Sequence, residues 1–167
     1  MSEITLRVTL NRVPMELRAE AGKSLLRILR EDLGMTSVKE GCGQGDCGAC
    51  VVVLDGEAVN SCLVLAAQAD GGEITTLEGL ALQGVLHPLQ RAFSEMWAFQ
   101  CGFCAPGMLM SAYALLLHTP SPTRDEIEEA IEGNLCRCTS YRAVIEAIDA
   151  AAGEQRRGGL AAGAPDA

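Results

Sequence analysis

The 167-residue chain reads as an α+β protein in two parts: a small mixed sheet crossed by one helix, then a bundle of four short helices. Three observations predict this. Apolar residues alternate with polar ones in the early segments, the spacing becomes helical from Pro88 onward, and a Gly/Cys-rich loop interrupts the first part at residues 41–50.

Ile4, Leu6, Val8 and Leu10 alternate with polar residues, and Val13, Met15 and Leu17 do so again after Asn11-Arg12. This pattern predicts a β-hairpin. Leu25, Leu26, Ile28, Leu29 and Leu33 follow at helical spacing, with Ser24 placed to cap the start and Gly34 to end it. Beyond the loop, Val51–Leu54 and Glu57–Asn60 flank Asp55-Gly56, a dipeptide suited to a type I′ turn, and Ile74–Thr76 is a last strand.

In the second part, Leu89, Ala92, Phe93, Met96 and Trp97 share one helical face behind Pro88, so Phe93 and Trp97 are both expected in the core. Met108, Leu109, Ala112, Tyr113 and Leu116 mark a second helix behind Pro106. Thr123 to Glu126 form a capping-box pattern ahead of Ile127, Ala130 and Ile131, and Tyr141, Val144, Ile145 and Ile148 mark a fourth helix. Short connections between them suit a compact bundle. The change of period divides the chain into a domain at residues 1–80 and a domain at 84–152. Residues 153–167 are rich in Gly and Ala and are expected to be a mobile tail.

Thirteen Lys and Arg against 22 Asp and Glu give a formal net charge of −9, which disfavours nucleic acid and anionic lipid as partners. There is no signal-like start and no long uncharged apolar run, so neither export nor membrane insertion is expected. Eight cysteines in such a chain point to a reducing compartment, the cytoplasm, where thiols persist unless they bind metal.

The cysteines fall into two sets of four. Cys42, Cys47, Cys50 and Cys62 are spaced C-x4-C-x2-C-x11-C, and the first three match the plant-type ferredoxin pattern. Gly41, Gly43, Gly45 and Gly48 would let the loop wrap a [2Fe-2S] cluster and aim N–H groups at its sulfurs. Zinc competes chemically, but structural zinc sites more often pair two short knuckles, so iron–sulfur is preferred here. Cys101 and Cys104 lie at the junction of the first two bundle helices, and Cys136 and Cys138 at that of the last two. An antiparallel bundle could bring both junctions to one end. By spacing alone, this second set is open to iron–sulfur or zinc.

The segments GCGQGDCGACVVVLDG, SCLVLAA, HPLQRAF, QCGFCAPGMLM and PTRDEIEEAIEGNLCRCTSYRAV together resemble the small iron–sulfur subunit of the molybdenum hydroxylases. This is the family of xanthine dehydrogenase, aldehyde oxidoreductase, carbon monoxide dehydrogenase and the bacterial N-heterocycle hydroxylases, and the likeness spans roughly residues 3–150. It implies a β-grasp, plant-type ferredoxin-like domain followed by a four-helix-bundle domain, with a [2Fe-2S] cluster in each. It further implies a large partner subunit holding molybdenum-pterin and a medium partner subunit holding FAD. Electrons would pass from the pterin centre through the bundle cluster and then the ferredoxin-type cluster. By the same likeness, Cys138 lies against the pterin and Gln100 hydrogen-bonds it, and the chain turns over no substrate alone. Two positions depart from the family pattern: Ala105 stands where many relatives have Thr, and Ser140 where most have Gly.

A free-standing ferredoxin-like carrier is the competing reading, although such a carrier has no need of the helical part. His87 is expected on the surface ahead of a helix and His118 at a helix end. Phe103, Ala105, Met108 and Leu135 are expected to line an open apolar face around the second cysteine set.

Overall fold

The computed structural model describes residues 3–138 and 141–158. Ser140 and residues 159–167 of the expected tail lie outside the described residues.

Strands β1 (Glu3–Leu10) and β2 (Val13–Glu20) pair antiparallel, with Leu6 opposite Leu17. Asn11 and Arg12 both take positive φ, 51° and 69°, so the hairpin closes through a two-residue turn of the type the strand twist favours. Helix α1 (Leu25–Arg27) starts at Ser24, whose Oγ accepts from the Arg27 amide. It then widens over Ile28–Asp32 into a π turn closed by the Leu33 amide on the Ile28 carbonyl. Strands β3 (Val51–Leu54) and β4 (Glu57–Asn60) join through Asp55-Gly56 as expected, and β5 (Glu73–Thr75) starts one residue earlier than the sequence suggests.

The sheet order is β2-β1-β5-β3-β4, mixed because β5 runs parallel to β1 and antiparallel to β3. Leu6, Val8 and Leu10 project to one face, where they pack with Leu25, Leu26, Ile28, Leu29, Val52 and Ile74. Burial of each α1 residue in that set contributes about 1.5–3 kcal/mol. Val51 and Val53 point the other way and belong to the core of the helical part. The uninterrupted run Val51-Val52-Val53 follows from a strand covered on both faces.

The helical part holds α2 (Pro88–Glu95), α3 (Ala105–His118), α4 (Arg124–Ile131) and α5 (Tyr141–Gly158). Thr123 and Glu126 make the expected reciprocal cap, and its hydrogen bonds hold the Glu126 carboxyl below the usual range. Helix α3 packs on β3 as well as on α2 and α4. A helix covered on so many sides needs no polar stripe, and α3 carries no Asp, Glu, Lys or Arg.

Four expectations are corrected. Trp97 is 81% exposed, whereas Phe93 is buried: α2 ends at Glu95, and Trp97 turns left-handed at φ 54°, which swings it off the apolar face. His87 is half-buried, packs edge-on against Tyr113 with ring centroids 5.4 Å apart, and accepts the Leu89 amide on Nδ1 at 3.2 Å to cap α2. Ala105 and Met108 are buried because β3 and the first cysteine loop cover that side of α3; Phe103 and Leu135 stay exposed. Finally, residues 153–158 continue α5, since Gln155 is buried beside His87 and Glu154 pairs with Arg91 of α2.

Candidate metal centres

The first cysteine loop runs from Gly41 to Cys50 between α1 and β3, and Cys62 arrives just beyond β4. The Gln44 and Asp46 amides point at the Cys42 sulfur, 3.5 and 3.3 Å away. These donors, the Gln44 amide first and then the Cys47 side chain, bring the Cys42 thiol down to about 7. Gly41 leaves room for Cys47, whose sulfur would lie 2.7 Å from a Cβ added there. Cys62 lies against Cys50, and burial followed by that contact pushes its thiol up to about 11.

Two polar residues just before Cys62 brace this loop. Asn60 donates from Nδ2 to the Gly45 carbonyl at 3.1 Å and offers Oδ1 to Cys50, and the buried Ser61 hydroxyl donates to the Cys50 carbonyl at 2.7 Å. Sequence reasoning missed both. The available signal was a polar pair, Asn60-Ser61, set between the apolar Ala58-Val59 and Cys62.

The second set assembles from the α2–α3 and α4–α5 junctions, as antiparallel packing requires. Cys101 and Cys138 are exposed, with their sulfurs 3.5 Å apart. Cys104 is buried and lies against Cys136; burial, then that contact, pushes its thiol up to about 12. The Phe103 amide lowers the Cys101 thiol, and the contact with Cys101 raises that of Cys138. Tyr141 braces this side, its hydroxyl accepting the Cys136 amide at 3.0 Å and donating to the Asn134 carbonyl at 2.8 Å. Gln100 is exposed at the neighbouring position.

Each expected set is therefore brought together in pairs: the Cys101 and Cys138 sulfurs are 3.5 Å apart, and Cys42 with Cys47, Cys50 with Cys62, and Cys104 with Cys136 lie near enough for one thiol to shift the other. None of the eight cysteines is joined in a disulfide. Among the described residues, no three His, Cys, Asp or Glu side chains surround a ready-made site for one metal ion. The donor chemistry, eight soft sulfurs with backbone N–H groups aimed at them, suits iron–sulfur clusters. No described helix is long and apolar enough to cross a membrane.

Residues 8–81 match the family described as 2Fe-2S iron-sulfur cluster binding domain, and residues 76–149 match the [2Fe-2S] binding domain family. The nicotinate dehydrogenase small FeS subunit of Eubacterium barkeri is 49% identical over 148 residues, covering 89% of this chain and 94% of that one. The xanthine dehydrogenase iron-sulfur-binding subunit of Escherichia coli is 46% identical over 147 residues, covering 87% and 92%. The solved structure of quinoline 2-oxidoreductase from Pseudomonas putida 86 superposes with a TM-score of 0.88 at 44% identity, covering 93% of this chain and 98% of the matched one. The β-sheet domain followed by helices, the paired cysteines and these likenesses converge: the chain belongs to the family of small [2Fe-2S] iron–sulfur subunits of the molybdenum hydroxylases, the electron-transfer components of those oxidoreductases.

Proposed function

We propose that this chain carries two [2Fe-2S] clusters, one held by Cys42, Cys47, Cys50 and Cys62 and the other by Cys101, Cys104, Cys136 and Cys138. The observation that carries the reading is the pairwise grouping of cysteines within each set, closest at Cys101 and Cys138 with sulfurs 3.5 Å apart, since a two-iron cluster takes two thiolates at each iron. Each cluster, when bound, takes up and releases a single electron, and the protein supplies position and electrostatics. The Gln44 and Asp46 amides stabilise negative charge at Cys42, and the Phe103 amide does so at Cys101. Buried Cys50 and Cys104 form the inner, water-shielded edges, while Cys101 and Cys138 form an outer edge open to a partner.

That outer edge is the side at which a large subunit would bring molybdenum-pterin, with Cys138 against the pterin and Gln100 donating or accepting a hydrogen bond. Exposed Phe103 and Leu135 flank it and would be covered in the complex. The first cluster would face FAD on a medium subunit, so electrons would travel from pterin to flavin. Residues 1–80 form the first domain and the helical domain runs from 84 through the end of α5, and the chain works in the cytoplasm, where its thiols stay reduced until metal takes them.

Chemical analysis of the chain purified with its partners tests this. Four irons and four acid-labile sulfides per chain are expected, with visible absorption that bleaches on reduction. Zinc at one or two per chain and a colourless protein would refute the reading.

A further inference from the structure

The two cysteine loops meet along a seam whose closest approaches are made at glycines. At Gly48, φ is 66°, and an added Cβ would lie 2.5 Å from both the Asn134 amide nitrogen and the Gly133 carbonyl. Gly107, in the first turn of α3, touches the Gly48 carbonyl so closely that an added Cβ would sit 2.2 Å from it. Two hydrogen bonds join the loops across this contact: Asn134 Nδ2 donates to the Gly48 carbonyl at 2.9 Å, and the Leu135 amide donates to the Cys47 carbonyl at 3.0 Å.

Asn134 is buried, and each end of its side chain has a job. Ser111 on α3 donates its hydroxyl to Asn134 Oδ1 at 2.8 Å, which fixes the amide so that its nitrogen faces Gly48. Its backbone is tied to both flanking helices, the amide donating to the Ile131 carbonyl and the carbonyl accepting from Tyr141. The position of Gly48, and so of adjacent Cys47, is thereby referenced to α3, α4 and α5 through one side chain 86 residues away. Cys136 follows Asn134 by two positions.

We infer that Asn134 is a positioning residue that fixes the separation of the two cysteine loops and, with it, the coupling between the clusters they hold. The inference rests on the iron–sulfur reading above. Asparagine is the required type because the site needs a donor toward Gly48 and an acceptor toward Ser111 at once. The substitution Asn134→Asp would set a carboxylate oxygen against the Gly48 carbonyl, and a leucine of similar size would leave the buried Ser111 hydroxyl and the Gly48 carbonyl without this partner.

The test uses the full chain in its complex, reduced with dithionite so that each cluster carries one unpaired spin. Mutual splitting of the two paramagnetic signals falls with the cube of their separation and reads the seam directly. Asn134→Asp and Ser111→Ala are expected to keep four irons and four sulfides per chain, to lose part or all of that splitting, and to exchange the Leu135 amide hydrogen faster. Ser111→Thr, which keeps a hydroxyl, is expected to retain the splitting. Ile148→Ala, a bundle-core truncation, serves as the control: it lowers Tm and leaves the splitting unchanged. Should Asn134→Asp fail to fold, Ser111→Ala decides. Unchanged splitting in the folded seam variants, or an equal loss in Ile148→Ala, would overturn the inference. A wild-type complex without iron would overturn the iron–sulfur reading itself, before any variant is compared.

Discussion

Replacing Gly107 by alanine should destabilise this protein even though it removes a glycine from a helix. Within a helix, Gly→Ala ordinarily stabilises by about 0.5–1 kcal/mol. Here the new methyl group would lie 2.2 Å from the Gly48 carbonyl oxygen and 3.2 Å from Asn134 Nδ2. The neighbour it meets first is backbone, held by hydrogen bonds from Val51 and Asn134, and cannot swing away as a flexible side chain could. Overpacking costs about 1–3 kcal/mol, and a 2.2 Å approach to held backbone belongs in the upper half of that range, about 2–3 kcal/mol, so after subtracting about 1 kcal/mol of helix gain the net loss is about 1–2 kcal/mol. At about 2–4 °C per kcal/mol for a chain of this size, Tm should fall by roughly 2–8 °C in calorimetry of the full chain. Gly133→Ala is the matched comparison, since nothing lies within 4 Å of a Cβ there and φ is not positive. It should leave Tm unchanged or raise it, by at most about 1 kcal/mol of added stability. A Gly107→Ala protein as stable as wild type would refute the close packing of α3 on the first cysteine loop.

Two further outcomes are expected. Burial first, then the nearby Arg12 and Arg91 charges, hold His87 down at about 4 in the folded protein, against an ordinary 6.5. The unfolded chain therefore binds this proton at higher pH than the folded one, so the stability at issue is complete above about 6.5 and is lost as pH falls toward 4. Protonation also removes the Nδ1 acceptor that caps α2; after discounting for partial solvent exposure, the loss is about 1–2 kcal/mol. Denaturant titrations across that window should show this slope flattened in His87→Asn, which keeps a cap but does not titrate, and an identical slope in both proteins would contradict the assignment. Trp97 is the only tryptophan and is mostly exposed, so its fluorescence in the isolated chain should be that of a hydrated indole, readily quenched by acrylamide. Weak quenching would return Trp97 to the core where its spacing first placed it.

Local chemistry made much of this fold readable in advance. Asp55-Gly56 forms its turn with positive φ at both residues, Thr123 and Glu126 cap α4, and period-two alternation locates β1 and β2. The cysteine spacing named the eight sulfurs that the fold gathers in pairs. What escaped depends on partners distant in sequence. Trp97 has the right spacing for the core, but α2 stops two residues short of it, and no glycine or proline there announces the stop. Residues 153–158 look like tail because they lack large apolar groups; they stay helical because small Ala151 and Ala152 fit a close helix contact and Glu154 reaches Arg91. Asn134 shows no local sign of its role, since neither Ser111 nor Gly48 is near it in sequence.

The two-sided burial of β3 has a consequence for biosynthesis. Val51 and Val53 are part of a core whose other members come mostly from the helical part, and α3, which covers them, begins 51 residues after β3 ends (105 − 54). On a ribosome elongating at about 5–20 residues per second, that interval lasts roughly 3–10 s. During it the nascent sheet, complete on its α1 side, shows a valine-lined surface to solvent. A chaperone that shields newly made strands should bind in this window and release once α3 emerges. A stop codon placed before Ala105 should therefore yield an aggregating fragment rather than a small free-standing ferredoxin.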